Sequence, residues 1–79
     1  MPRYHFHIYN HIETRDEEGQ ELADDKAARH SAIEAARDLV CADVRQGHLN
    51  LDHYIEVTDG AGRPLFNISF REAFTIDGP

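Results

Sequence analysis

The stretch DDKAARHSAIEAARDLVCADVRQG, residues Asp24 to Gly47, decides the fold because its pattern predicts one long amphipathic helix. Asp24 is a good N-cap, since its carboxylate can accept a hydrogen bond from an amide of the first turn. Gly47 is placed to end the helix in the left-handed conformation that glycine adopts without steric cost. At 1.5 Å per residue, about 23 residues make a helix of roughly 34 Å. Such a helix needs a surface on which to bury its apolar face.

Apolar and polar side chains separate into two halves of the helical wheel when residues are placed at 100° intervals. We predict that the apolar half packs on a sheet, and that its many alanines allow a close approach between helix and strands. This half contains Ala28, Ala32, Ile33, Ala35, Ala36, Leu39, Val40 and Val44.

The residues before the helix predict a strand followed by a hairpin. Arg3 to Tyr9 alternates in polarity, as a strand with one buried face does. Asn10-His11 offers a two-residue turn, because both residues tolerate left-handed backbone, and residues 12–14 then return as a short second strand. A turn at Asp16–Gly19 leads through residues 20–22 into the helix. The inward set is Tyr4, Phe6 and Ile8, and the outward set is His5, His7 and Tyr9.

The residues after the helix predict a second hairpin. Tyr54–Thr58 alternates again, Asp59–Gly62 is a turn rich in glycine, and Leu65–Phe70 supplies an antiparallel partner strand. Ser69–Glu72 fits a capping box, so residues 70–76 form either a short helical turn or an extended continuation.

We therefore expect residues 1–79 to form a single α+β domain. Its predicted architecture is an antiparallel sheet of three to four strands with one long amphipathic helix packed on one face, in the order β-β-α-β-β, with a short helical turn at the C-terminus. A core of this size gives only a few kcal/mol of net stability, so we also expect a homodimer. The single cysteine, the lack of an apolar signal sequence and the lack of a membrane span predict a cytoplasmic protein without membrane contacts.

The charge is concentrated in one segment. The chain has 8 Lys and Arg against 15 Asp and Glu, a net charge of −7, and residues 10–25 hold seven of these acids against the single base Arg15. This field repels phosphate backbones, which argues against nucleic-acid binding, and it attracts basic proteins. The alternative interpretation is an acidic loop that only keeps the protein soluble. The candidate partner-binding residues are Asp16, Glu17, Glu18 and Glu21.

His5 and His7 are candidate metal ligands. They are two residues apart on a predicted strand, so their imidazoles project from the same face, a spacing that metal sites use. His11, or His53 from a neighbouring strand, could supply a third ligand. The alternative is a pair of histidines that faces solvent or an interface, and no cofactor is otherwise indicated.

Other patterns give no support to catalysis. An EF-hand register around Gly19 places Thr14 at the first position, where aspartate is needed. Cys41 lies near Arg37 and Arg45, which favour a thiolate, but no base can be assigned to it. We therefore expect a protein that is not an enzyme. A small active site assembled across a dimer interface is the alternative that the chain alone does not address.

Five motifs in order give the chain a resemblance to a family of short bacterial proteins catalogued as a domain of unknown function. The resemblance spans essentially the whole chain and implies one α+β domain without an assigned activity. His11 departs from it, since family members often have glycine in the first turn. The matching residues are Met1-Pro2-Arg3-Tyr4 with Phe6-His7, Asp16-Glu17-Glu18-Gly19 with Glu21-Leu22, Ala27-Ala28-Arg29 with Ala35-Ala36-Arg37, Ile55-Glu56-Val57 with Asp59 and Gly62, and Phe70-Arg71-Glu72-Ala73.

These observations favour a non-enzymatic protein-binding or regulatory domain. One alternative is a metal-binding protein that uses His5 and His7. A second is an inhibitor of a basic partner, as an antitoxin or a nucleic-acid mimic would be, because the strand hairpin, acidic turn and alanine-rich helix are similar in architecture to antitoxins of the HicB type.

Overall fold

The computed structural model describes residues 1–75 and Asp77. It contains one α-helix, five strands and a short 3-10 turn, and the predicted β-β-α-β-β architecture is confirmed. The strands are β1 (Arg3–Tyr9), β2 (Glu13–Thr14), β3 (Gln20–Glu21), β4 (Tyr54–Asp59) and β5 (Pro64–Ser69), the helix is α1 (Asp25–Arg45), and the 3-10 turn spans Phe70–Ala73.

Helix α1 has the predicted caps. The Asp24 carboxylate accepts a hydrogen bond from the backbone N–H of Ala27 at 2.9 Å. After the helix, Gly47 adopts a φ of 88°, which an L side chain would resist. The predicted helix, from its Asp24 cap to its Gly47 stop, is therefore confirmed.

The inner face of α1 is built from alanines at four-residue spacing. Ala28, Ala32 and Ala36 are fully buried against the sheet. The prediction that Val44 lies on this face was wrong, since its side chain is 56% exposed and Asp43 is buried instead. Seven residues make about two turns, so the face of Ala36 returns at Asp43, and Val44 points away from it.

The sheet has the order β2-β1-β4-β5, and β3 also pairs with β1. Strand β1 runs antiparallel to β4 along its whole length, with Tyr4 opposite Asp59 and Tyr9 opposite Tyr54. On its outer edge β1 pairs with β2 only at Ile8 and Tyr9. It pairs with β3 only at Arg3 and Tyr4. The outer edge is therefore covered at both ends and leaves the middle of β1 without a partner strand.

The first turn differs from the prediction. Tyr9 pairs with Glu13, so the connection contains the three residues 10–12 and Ile12 is not in the strand. None of the described residues other than glycine has a positive φ. Instead, the Asn10 side chain accepts a hydrogen bond from the N–H of Ile12 at 3.0 Å, which closes the turn without left-handed backbone. Residues 20 and 21, predicted as a lead-in to the helix, form β3.

The second hairpin is confirmed. Asp59 Oδ1 accepts hydrogen bonds from the N–H groups of Ala61 and Arg63, both at 2.9 Å. Gly62 has a φ of 87°. The hydrogen bond from the Arg63 amide, followed by that from Ala61, lowers the pKa of the Asp59 carboxyl, although burial opposes the shift.

The core lies between α1 and one face of the sheet. Opposite each other across the strands, Ile55 and Ile68 are both fully buried. Phe70, also fully buried, begins the 3-10 turn over residues 70–73, so the helical alternative for this segment is the one observed, although Ser69 makes no capping hydrogen bond through its side chain. Phe74 is extended, and Ile76 lies outside the described residues.

Gly19 allows a close approach between the acidic-turn backbone and β1, and we expect its replacement by alanine to destabilise the protein. Its φ is 70°, and a Cβ there would lie 2.7 Å from the backbone oxygen of Tyr4. Backbone strain and steric overlap together should lower the free energy of unfolding of Gly19→Ala, measured with urea, by about 2–4 kcal/mol.

Gly47→Ala is the matched control. Its φ of 88° is similarly left-handed, but no atom lies within 4 Å of the added Cβ. This variant introduces only backbone strain, which should lower the free energy of unfolding by about 1–2 kcal/mol. Equal losses in the two variants would contradict the assigned close contact between Gly19 and β1.

Candidate functional site

The loop between β2 and β3 folds across the sheet face that is opposite to α1. It carries Asp16, Glu17 and Glu18, and we call residues 16–21, which include Gln20 and Glu21 of β3, the acidic loop. Beneath it lie His5 and His7, stacked with their ring centroids 6.1 Å apart. This loop therefore joins the two groups of residues that sequence patterns identified as candidate partner and metal sites.

Asp16 forms four hydrogen bonds, three that attach the acidic loop to β1 and one within the loop. Its carboxylate accepts from the N–H of Phe6 at 3.1 Å and from the N–H of Gly19 at 3.0 Å. Its backbone N–H donates to His7 Nδ1 at 3.0 Å, and its backbone oxygen accepts from His5 Nδ1 at 2.8 Å. The bond to Phe6 fills the middle of the β1 edge, where neither β2 nor β3 supplies a carbonyl oxygen.

These partners determine where the histidine protons lie. A backbone N–H can only donate, so His7 Nδ1 is an acceptor, and its proton is on Nε2, which lies 3.3 Å from the Thr58 hydroxyl oxygen. A backbone carbonyl can only accept, so His5 Nδ1 carries a proton. His7 is 5% exposed and has both ring nitrogens in hydrogen bonds, whereas His5 directs Nε2 away from Asp16. The two imidazoles therefore have different roles.

The environment of Asp16 favours its ionised form. Burial by itself would raise the pKa of the carboxyl, but the amides of Gly19 and Phe6 donate to the charged form, and His5 adds a favourable electrostatic contribution. Their combined effect lowers the pKa below that of an ordinary aspartate.

A shallow cleft of about 270 Å³ opens beside this network. It lies between Arg15 and Glu17 on one side and the glycine turn of residues 60–62 on the other, and His5 and Thr58 form part of its floor. The Thr58 side chain is buried and adjoins His7. His5 and His7 both line this cleft, and of the two only His5 has a ring nitrogen, Nε2, without a hydrogen bond in the described residues.

The sequence profile of the domain of unknown function DUF6894 matches residues 3–71 of the chain. The chain belongs to the DUF6894 family. This confirms the resemblance drawn from the five motifs. No curated protein and no solved structure matches the DUF6894 chain. Within residues 1–75 and Asp77, no helix is both long enough and apolar enough to cross a membrane.

The predicted metal pair of this DUF6894 domain is embedded in the Asp16 network. His7 would have to give up one of its two hydrogen bonds to offer a metal a lone pair. The two residues considered as third ligands, His11 and His53, lie at the far end of β1, where their ring centroids are 6.3 Å apart. The structure thus brings together His5 and His7, and separately His11 and His53, but it does not unite the two pairs.

Two of the four predicted partner-binding carboxylates are paired within the protein, and two are not. Asp16 is used internally by the network described above. Glu21 is exposed and forms an ion pair with Arg3 at 3.5 Å. Glu17 and Glu18 are exposed, and within the described residues their carboxylates form no hydrogen bond or ion pair with another side chain. These two glutamates are therefore the carboxylates that the loop leaves exposed and unpaired within the described residues.

Two structural roles were not predicted from sequence. Asp16 was grouped with its acidic neighbours, although the pattern Asp-x-x-Gly is typical of a side chain that caps its own turn. His48, on the loop after α1, lies near His11, with ring centroids 6.0 Å apart. Because β1 and β4 pair antiparallel, the beginning of β4 lies beside the end of β1. Predicting this pairing from the sequence would have placed residues 48–53 close to His11.

We expect Asp16→Ala to destabilise the fold at neutral pH by roughly 1–3 kcal/mol, because the partly buried Phe6 N–H loses its acceptor. Glu17→Ala is the control and should change the free energy of unfolding by less than about 0.5 kcal/mol. Urea unfolding of the three proteins measures both values. Similar stabilities for Asp16→Ala and Glu17→Ala would contradict the role assigned to Asp16.

The effect of Asp16→Ala should depend on pH. The folded state lowers the pKa of Asp16, so this carboxylate contributes stability above the unfolded pKa, about 3.9 for aspartate. That contribution is lost as the pH falls from this value through the lower folded pKa. The difference between wild type and Asp16→Ala should therefore be constant near pH 7 and shrink below about pH 4. A difference that grows on acidification would contradict the assignment.

Proposed function

We propose that this DUF6894 domain is a non-enzymatic protein-binding domain whose acidic loop binds a basic protein partner. The observation that carries the proposal is the arrangement around Asp16. One acid of the loop holds it against β1, while the neighbouring carboxylates of Glu17 and Glu18 remain exposed. The loop is thus a charged surface with a defined conformation.

The charge distribution supports a basic partner. Residues 10–25 contain seven of the 15 acidic residues and one arginine. Concentrated negative charge speeds the encounter with a positively charged protein and disfavours nucleic acid. An inhibitor of a basic protein, as in the antitoxin-like alternative, would be one member of this functional class.

The hydrogen bonds of the loop support binding by a preformed surface. A flexible loop loses conformational entropy when it binds, and immobilising side chains alone costs about 0.5–1.5 kcal/mol each. The Gly19 amide donates to Asp16, and the Arg3 guanidinium donates to the Glu18 carbonyl at 2.7 Å, so both bonds fix the peptide group that joins Glu18 to Gly19. The loop backbone has therefore lost much of its conformational entropy before binding, so binding costs less.

The surroundings of the nucleophilic side chains support a non-enzymatic role. The Thr58 hydroxyl beneath the cleft is buried and adjoins His7 Nε2, whose proton it accepts. Cys41 is exposed on α1, which packs on the opposite face of the sheet from His5 and His7. Thr58 lies across the strands from His5, but its hydroxyl bonds His7, and within the described residues neither Thr58 nor Cys41 forms a hydrogen bond with His5.

We expect the double variant Glu17→Gln/Glu18→Gln to lose partner capture. Tagged wild-type protein, crosslinked in its native host cells, should retain a basic protein that elutes as the ionic strength is raised. The double variant should retain at most about a tenth of it, a loss of roughly 1.4 kcal/mol in binding free energy.

Asp38→Asn/Glu72→Gln is the matched control because it removes two exposed acids elsewhere and changes the net charge equally. It should capture the partner almost as well as wild type. Equal losses in both double variants would indicate a general charge effect. Unchanged capture by Glu17→Gln/Glu18→Gln, or no basic protein on the wild type, would contradict the proposed surface.

A homodimer is supported by apolar side chains at the C-terminal end of α1. Val44 is 56% exposed and Leu49 is 47% exposed, and both line a groove of about 320 Å³ with Gly47 and His48. Exposed apolar side chains that cluster at a groove are typical of interaction surfaces. A second copy of the chain, contributing the same patch across a two-fold axis, would cover them.

Sedimentation equilibrium in the presence of a chelator tests this dimer without any contribution from a shared metal. Val44→Asp should raise the dissociation constant at least tenfold, since it buries a charge at the interface. Leu65→Asp, at an exposed leucine on edge strand β5, is the control and should leave the dimer unchanged. A wild-type monomer at high micromolar concentration would contradict the dimer.

A further inference from the structure

Three histidines from separate segments meet at the end of β1 that lies away from the acidic loop. His11 is in the turn after β1, His48 is on the loop after α1, and His53 leads into β4. The ring centroid of His11 lies 6.0 Å from that of His48 and 6.3 Å from that of His53. We call these residues the histidine cluster.

Both buried side-chain atoms that lack a hydrogen-bond partner in the described residues belong to segments at this end. They are Nδ1 of His53 and Oδ2 of Asp43. Asp43 is joined to the cluster through its backbone, because its carbonyl accepts the N–H of His48 at 3.1 Å. Buried polar atoms without a partner are rare in folded proteins and call for a water molecule or an ion.

We propose that the histidine cluster is a binding site for a transition-metal ion of the zinc class, with His11, His48 and His53 as ligands. Imidazole donors suit Zn²⁺ and Ni²⁺, whereas Mg²⁺ and Ca²⁺ require mainly oxygen ligands. The proposal concerns a different surface from the acidic loop and does not depend on the protein-binding function.

The geometry requires a small closing movement. Within residues 1–75 and Asp77, no three side chains of the types that bind metals already surround a common point. Imidazoles that share one tetrahedral zinc ion, with Zn–N bonds of about 2.0–2.1 Å, have ring centroids roughly 5 Å apart, so the separations of His11 from His48 and from His53 must each shorten by about 1 Å. His11 and His48 are exposed and lie on connecting segments, where rotation of a side chain costs little packing.

The neighbouring residues favour this arrangement. The His53 ring packs edge-on against the buried Phe70, with centroids 5.7 Å apart, and this contact holds one ligand in place. Val44 and Leu49 line the adjoining groove together with His48, so one side of this ligand is apolar. One fixed imidazole and two adaptable ones would give a site that closes when the metal binds.

Calorimetric titration with ZnCl₂ tests the site. Wild-type protein should bind one Zn²⁺ per chain, and His11→Ala and His48→Ala should each weaken binding at least tenfold. MgCl₂ should give no binding. Ring ¹⁵N spectra should show shifts at His11, His48 and His53 when Zn²⁺ is added, which provides a readout independent of affinity.

His30→Ala and His5→Ala are the matched controls. His30 is an exposed histidine on α1, and His5 belongs to the pair beneath the acidic loop, so neither substitution should change the affinity for Zn²⁺. Failure of the wild type to bind Zn²⁺, retention of full affinity by either cluster variant, or an equal loss in His5→Ala would overturn the proposal.

Discussion

The hydrogen bond from the Phe6 N–H to the Asp16 carboxylate fills the gap between the two short strands, β2 and β3, on the outer edge of β1. Strands β2 and β3 are each two residues long, and they pair with opposite ends of β1. A carboxylate at 3.1 Å takes the place of a strand between them. Because the same residue also bonds both histidines beneath it, the connecting loop has a defined position over the sheet.

The acidic residues of this chain serve two different purposes. Asp16, Asp24 and Asp59 accept hydrogen bonds from nearby backbone amides, which their short side chains can reach. Asp25 accepts from the Tyr4 hydroxyl at 2.7 Å, and this bond, with desolvation, raises the pKa of Tyr4 to about 12. The longer Glu17 and Glu18 side chains extend to the surface. A net charge of −7 therefore includes charges that shape the fold as well as charges that lie on the surface.

Sequence patterns correctly predicted the helix ends and the second turn, because these depend only on neighbouring residues. The Asp24 cap, the Gly47 stop and the glycine turn after β4 are each determined by a few adjacent residues, and all three were confirmed. The first turn was predicted incorrectly because the Asn10 side chain closes it in a conformation that needs no left-handed residue. The inward position of Val44 was wrong because the helical repeat brings Asp43 under the sheet instead.

The hydrogen bonds and ring contacts of the histidines join residues that are far apart in the chain, so no local sequence pattern predicts them. A strand pattern places His5 and His7 on one face, but their proton positions follow from Asp16, nine and eleven residues away. The approach of His48 to His11 depends on how α1 returns the chain to the sheet. The alternation of strand residues therefore places His5 and His7 on one face. Only the tertiary structure shows that His5 and His7 are bonded to Asp16, whereas the histidine cluster contains an unpartnered nitrogen.

The nitrogen resonances of His7 provide the most direct measurement of whether Asp16 organises this structure. Long-range ¹H–¹⁵N spectra at neutral pH should show His7 with its proton on Nε2 and an acceptor nitrogen at Nδ1, and hydrogen exchange should show a protected Phe6 amide. A His7 ring that averages between tautomers, together with a Phe6 amide that exchanges as fast as an open strand edge, would contradict the Asp16 network.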